Sequence, residues 1–157
     1  KKEKIKNVWA LMSNNEPDGT DIRKFESLGT RSFASEMAIS AAIDFHLLIG
    51  PERKEARLQY LKNYWAQKAM KVPGFKLNTS LNPKFACALS NFSIEGFKPE
   101  EIDGKLLEKY RIHTVGINWE NIHGVRVTPS VYTSIADLDY LVKAITEIAA
   151  AGPPTNK

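Results

Sequence analysis

Apolar residues recur at helical spacing in five stretches of the chain and alternate or run together in four shorter ones. Ile5, Val8, Trp9 and Met12 predict an amphipathic helix over Lys2 to Met12. The turn residues of Asn14-Asn15-Glu16-Pro17-Asp18-Gly19 then predict a loop. Phe33, Met37, Ala41, Phe45 and Leu48 mark one face of a second helix, read as a core stripe, which ends at Gly50. Pro51 opens a third helix, since proline has no N–H to leave unpaired at a first helical position. Leu58, Leu61, Trp65 and Ala69 carry its apolar face, and Val72-Pro73-Gly74 closes it.

Beyond Gly74 the period shortens. Phe75 to Leu77 predicts a short strand, and Phe85 to Phe92 a longer one, apolar on both faces and therefore central. Ile94 to Phe97 predicts a turn. Pro99, Glu100 and Glu101 begin a helix with acids at its positive end, and Ile102, Leu106 and Tyr110 are its inner face. Ile112 to Ile117 predicts a strand, Asn118 to His123 a polar loop, and Val125 to Thr128 a last strand that Pro129 stops. Ser134 and Asp137 form a capping-box-like pair ahead of Ile135, Leu138, Leu141, Val142, Ile145 and Ile148. The order predicts an α+β fold: a helical arm, then a small, mostly antiparallel sheet with helices on one face. Gly152-Pro153-Pro154 reads as a disordered tail.

Composition narrows the function classes. The chain has 157 residues, 43% hydrophobic and 25% charged, values ordinary for a globular protein. The net charge of +4 comes from scattered lysines and arginines. No basic stripe is interleaved with aromatics, so nucleic acid is not an expected partner. No apolar run approaches the roughly 20 residues of a membrane span, so no membrane is expected either. Cys87 is the one cysteine, which excludes an intrachain disulfide and a cysteine-built zinc site. It is read as a small packing residue inside the Phe85 to Phe92 strand. His46, His113 and His123 are too far apart in sequence to mark a metal site by spacing. No nucleophile elbow and no phosphate-binding glycine loop with lysine occur.

Two places remain where an anion could be held. Arg126 stands alone between Val125 and Val127 at the rim of a strand, and its planar fork matches a carboxylate. An arginine so placed is as often a surface or ion-pair residue. Gly29 and Thr30, with Ser32 as N-cap of the next helix, offer a flexible turn, hydroxyls and free amides at a helix start. Most such pairs are only caps. From the residues alone there are two anion sites and no chemistry.

The segments Phe25-Glu-Ser-Leu-Gly-Thr-Arg-Ser32, Ala41-Ala-Ile-Asp-Phe45, Ile49-Gly50 and Val125-Arg-Val-Thr-Pro-Ser-Val-Tyr132 resemble the C-terminal part of a class V aminotransferase. This is the fold-type I family of pyridoxal-phosphate enzymes that includes cysteine desulfurases and isopenicillin N epimerase. The Gly-Thr-Arg form of the first motif is closest to the epimerase-like branch. The resemblance runs from about Ile5 to Ile148, with the motifs in order.

The resemblance implies that Gly29 and Thr30 bind the phosphate of pyridoxal 5'-phosphate across a homodimer interface. It implies that Arg126 holds the α-carboxylate of an amino-acid substrate and so sets the orientation of its labile Cα bond. The family's Schiff-base lysine and the aspartate for the pyridine nitrogen precede the Gly-Thr motif, in a segment this chain does not contain. The chain thus reads as a C-terminal piece of a larger enzyme, with no catalytic residue of its own. Residues 1–50 would be the end of the large domain and connecting helices, 51–150 the small domain and 151–157 the tail. Desulfurases carry a nucleophilic cysteine on the loop before the late arginine. Asn118 to His123 has none, which disfavours sulfur transfer. The family's Tyr-Asn-Thr is Tyr132-Thr133-Ser134 here, which leaves the helix cap intact. The implied location is the cytoplasm. The rival reading is a stand-alone α+β binding or interaction domain in which the same motifs serve capping and packing.

Overall fold

The structure is a computed structural model that describes residues 2–8, 22–25 and 32–154. The chain divides into two compact units, Lys1–Leu48 and Ile49–Lys157.

In the first unit, Lys2–Asn7 and Ile22–Phe25 are 3-10 turns. The first replaces the start of the helix predicted over Lys2 to Met12, and Trp9 and Met12 lie outside the described residues. Helix α1 spans Phe33–Ile49, and the Ser32 carbonyl accepts the amides of Ser35 and Glu36 at 3.1 and 3.3 Å. None of its residues is buried: Phe33 is 71%, Met37 75% and Leu48 82% exposed. The stripe read as core is therefore exposed.

The second unit holds helices α2 (Pro51–Ala69), α3 (Pro99–Tyr110) and α4 (Ile135–Ala151) against one sheet. Its strands are β1 (Phe75–Leu77), β2 (Ser90–Ile94), β3 (Val115–Trp119) and β4 (Ile122–Val127), in the order β1-β2-β4-β3, all neighbours antiparallel. This is the α+β architecture that the order of elements predicts. The core is where the periodicities place it. Leu61 and Trp65 of α2, Ile102 and Leu106 of α3, and Leu138, Ile145 and Ile148 of α4 meet Phe92, Ile94, Val125 and Val127 of the sheet. Trp65 packs edge-on against Phe75 and Phe92, which stack on each other.

Helix ends follow local chemistry. Pro51 occupies the first turn of α2. The Lys98 amide donates to Glu101 at 2.8 Å at the start of α3. Ser134 and Asp137 exchange reciprocal bonds at the start of α4, where the Asp137 amide donates to Ser134 Oγ at 3.1 Å and Asp137 Oδ2 accepts the Ser134 amide at 2.9 Å.

Two strands sit later than predicted. The Phe85 to Phe92 strand is instead Ser90–Ile94. β1 is three residues long and pairs only with Phe92 to Ile94, so residues 85–89 have no ladder to join. Turns built by Asn82 hold the chain there: Lys84 N donates to Asn82 Oδ1 and Phe85 N to Asn82 O. Cys87 is accordingly exposed and outside the strand, not a packing residue within it. The strand predicted over Ile112 to Ile117 is Val115–Trp119, and the expected polar loop Asn118 to His123 is the tip of a hairpin. Arg111 ends α3 in a left-handed conformation (φ 57°) and Ile112 N bonds back to Leu106 O, which delays the strand. Asn118 then pairs with His123 and Trp119 with Ile122 across a two-residue turn, with Glu120 at φ 46°.

Candidate functional site

The inward residues of the sheet pack under α2, α3 and α4. Successive side chains on a strand leave opposite faces. Arg126, between the buried Val125 and Val127, therefore leaves the sheet on the side away from those helices. Its register partners are Asn91 on β2 and Val115 on β3, which share that face. Lys76 and Ser93, paired across β1 and β2, stand on the same side.

Arg126 is half-buried and takes part in no ion pair among the described residues. Its Nε is buried with no hydrogen-bond partner. A buried donor left unpaired costs its full desolvation, so such an atom marks a place where a partner belongs. Asn63 Oδ1, Trp65 Nε1 and Ser90 Oγ are likewise unpartnered, but Trp65 and Ser90 face the core. Among these four, Arg126 is the charged group and belongs to the outer face.

Beside it lies a network of amides. Asn78 Nδ2 donates to Asn91 Oδ1 at 2.8 Å and to the His123 carbonyl at 3.2 Å. The Asn91 amide donates to Thr79 Oγ1 at 2.8 Å, and its carbonyl accepts Asn78 N at 2.8 Å. His123 Nδ1 lies 2.6 Å from Asn118 Oδ1. A groove of about 720 Å³ runs along these residues, walled by Lys76, Asn78, Asn91, Ser93, Asn121 and His123 among others. Asn91 is common to the groove and to the Arg126 pair. Periodicity did not single out Asn78 or Asn91, because amides on an outer sheet face look like ordinary surface polarity; the signal was Asn91 facing Arg126, which needs the register.

Gly29 and Thr30, the residues expected at a cofactor phosphate, lie outside the described residues. Among the described residues no group of three or more His, Cys, Asp or Glu side chains converges. The ionic clusters that do form join helices. Asp139 of α4 meets Lys68 at 2.6 Å and accepts from Tyr64 Oη at 2.9 Å. These bonds hold the Asp139 carboxyl below its ordinary range, and the bonds from Lys68 to Asp139 and Tyr64 hold Lys68 above its own. Glu147 accepts from Tyr110 at 2.6 Å and Lys109 at 3.3 Å, which depresses its carboxyl in the same way. Lys62, almost wholly buried, donates to the Ser80 carbonyl at 2.9 Å, and burial pushes its ammonium down. Among the described residues no single helix is long and apolar enough to cross a membrane.

No protein-family model and no curated protein sequence matches the chain. Solved structures do. A cysteine desulfurase from Thermococcus onnurineus NA1 superposes with a TM-score of 0.72 at 16% identity, over 92% of this chain and 38% of that one. The cysteine desulfurase CsdA from Escherichia coli gives 0.66 at 20%, over 96% and 41%. An alanine–glyoxylate aminotransferase from Nostoc sp. gives 0.57 at 17%, over 71% and 30%. At these identities the likeness is one of fold: a helical arm and small α+β unit of the kind these enzymes contain. The chain spans about two fifths of the length of the desulfurases it superposes on.

Proposed function

We propose that this chain is the C-terminal part of a pyridoxal-phosphate enzyme of the class V aminotransferase type, acting on an amino acid, in which Arg126 takes the substrate's α-carboxylate. The observation that carries it is the Arg126 guanidinium, unpaired among the described residues and with its Nε buried, on the face of the sheet away from α2, α3 and α4. The fold shared with desulfurases and an aminotransferase, and the motifs around Gly29 and Arg126, support the same reading.

The fit of the cofactor rests on two different parts of the chain. Gly29 and Thr30 would hold its phosphate, reaching across a homodimer interface. On the substrate side, a cation with an orphaned donor suits an anion and not an aromatic ring, which agrees with a carboxylate at Arg126. The cofactor, when bound, supplies the electron sink for bond cleavage at Cα. Arg126 supplies two parallel donors that bind the carboxylate and fix its orientation. Transfer or epimerisation on carbon is favoured over sulfur transfer. The residues ahead of Arg126 form a tight hairpin without cysteine, and Cys87 stands on the far side of β2 in sequence, outside any strand. The epimerase-like branch is supported by the Gly-Thr-Arg motif at residues 29–31 alone.

Arg126→Ala in the full-length enzyme is expected to lower kcat/KM for the amino acid by about 2–5 kcal/mol, the range for losing one side of a buried charge pair. Unchanged kinetics would remove Arg126 from this role. An upstream segment with a cofactor-binding lysine and an absorption band of bound cofactor are expected in the intact protein. A protein lacking both would be the stand-alone domain instead.

A further inference from the structure

We propose that Asn91 is a second carboxylate-binding residue, whose side-chain amide nitrogen shares with Arg126 the oxyanion held on the outer face of the sheet; this rests on the reading of Arg126 given above. The arrangement is fixed from His123. Its main-chain carbonyl can only accept, so the Asn78 atom 3.2 Å away is the amide nitrogen. That same nitrogen lies 2.8 Å from the Asn91 side chain, so the Asn91 atom it meets must be the oxygen. Asn91 Oδ1 is thereby used, and Nδ2, with two N–H groups, is the end left over. Among the described residues it has no partner.

Asn91 and Arg126 are direct register partners on β2 and β4, on the same face. Side chains so paired start about 4.5–5.5 Å apart at Cβ. Two donors therefore rise from facing positions on one face of the sheet, one charged and one neutral: Asn91 Nδ2 and the Arg126 guanidinium, whose Nε is also orphaned. A carboxylate gripped by the two parallel donors of Arg126 keeps a free lone pair on each oxygen, and one of these accepts from Asn91 Nδ2. Gly124 keeps the amide pair in place. A Cβ there would overlap Asn91 Oδ1 and the Phe92 carbonyl and come within 3.0 Å of Asn78 Nδ2. The glycine thus makes room for Asn78 to lock the Asn91 amide with its nitrogen free, which makes Asn78 the positioning residue of the pair.

The test is a titration of the isotopically labelled 157-residue chain with sodium acetate against sodium chloride at equal ionic strength. Resonances of Arg126 Nε–H and the Asn91 side-chain NH2 are followed together. Both are expected to shift on one saturation curve with acetate and not with chloride. Asn91→Ala is expected to weaken acetate several-fold as read at Arg126 Nε–H, and Asn78→Ala to weaken it less. If Arg126 titrates while the Asn91 NH2 stays still, the assignment of Asn91 is overturned and that of Arg126 stands. If neither moves, both are overturned. The wild-type chain alone separates these results, so they do not depend on either variant folding.

Discussion

Helices α1 and α4 are both 17 residues long, and both carry apolar residues at helical spacing. α4 buries Leu138, Leu141, Ala144, Ile145 and Ile148 and turns Asp137, Asp139, Lys143 and Glu147 outward. α1 buries nothing, although its only acids are Glu36 and Asp44 and its apolar residues run round the whole circumference. A helix apolar on all sides is ordinarily a buried one. The contrast teaches that a hydrophobic stripe reports the need for a partner without saying which chain segment meets it.

The comparison is sharpest in a pair of like substitutions. Ile145→Ala empties a site with no exposure and is expected to lower the unfolding free energy by about 2–5 kcal/mol in urea titrations. Ile43→Ala, at a site 53% exposed, is expected to change it by no more than about 0.5 kcal/mol in the 157-residue chain. In the longer protein proposed above, the Ile43 substitution is expected to approach the cost of the Ile145 one. Equal and small effects there would mean that α1 stays bare.

A smaller effect tests what starts α4 rather than what covers it. Ser134→Ala removes the acceptor for the Asp137 amide and is expected to cost about 1 kcal/mol, read as a lower Tm. The smallest effect concerns the tie between α4 and α2. Asp139 has its carboxyl depressed by Lys68 and Tyr64, so its contribution is complete above the ordinary aspartate range and disappears as the pH falls through the depressed value. Lys68 is raised by Asp139 and Tyr64, so its contribution is complete below the ordinary lysine range and disappears as the pH climbs through the raised value. The stability difference between wild type and Asp139→Asn is therefore expected to be flat between those limits and to shrink at both ends. A difference that does not change with pH would show the cluster to be energetically idle.

Most of the second unit was readable in advance because its signals are local. Pro51, Pro99, Ser134 and Gly152 mark helix limits by their own chemistry, and burial followed the 3.6-residue period in α2, α3 and α4. Strand limits depend on distant partners. Phe85 to Leu89 has the composition of a strand and nothing to pair with, whereas Trp119 and Ile122 belong to strands because they face one another. For the site, Arg126 was visible as one charge between two valines. The unpaired state of its Nε, and the Asn91 amide across from it, exist only once β2 and β4 are aligned.

The two-residue turn between β3 and β4 has a further consequence. A connection that short has no slack, so no side chain mounted on it can swing out to collect a group and carry it to a second protein. The tip lies at the opposite end of the hairpin from Arg126, whose partner Val115 opens β3. The hairpin tip is tied on both sides to paired strands, and relaying cargo from it would need a longer connection.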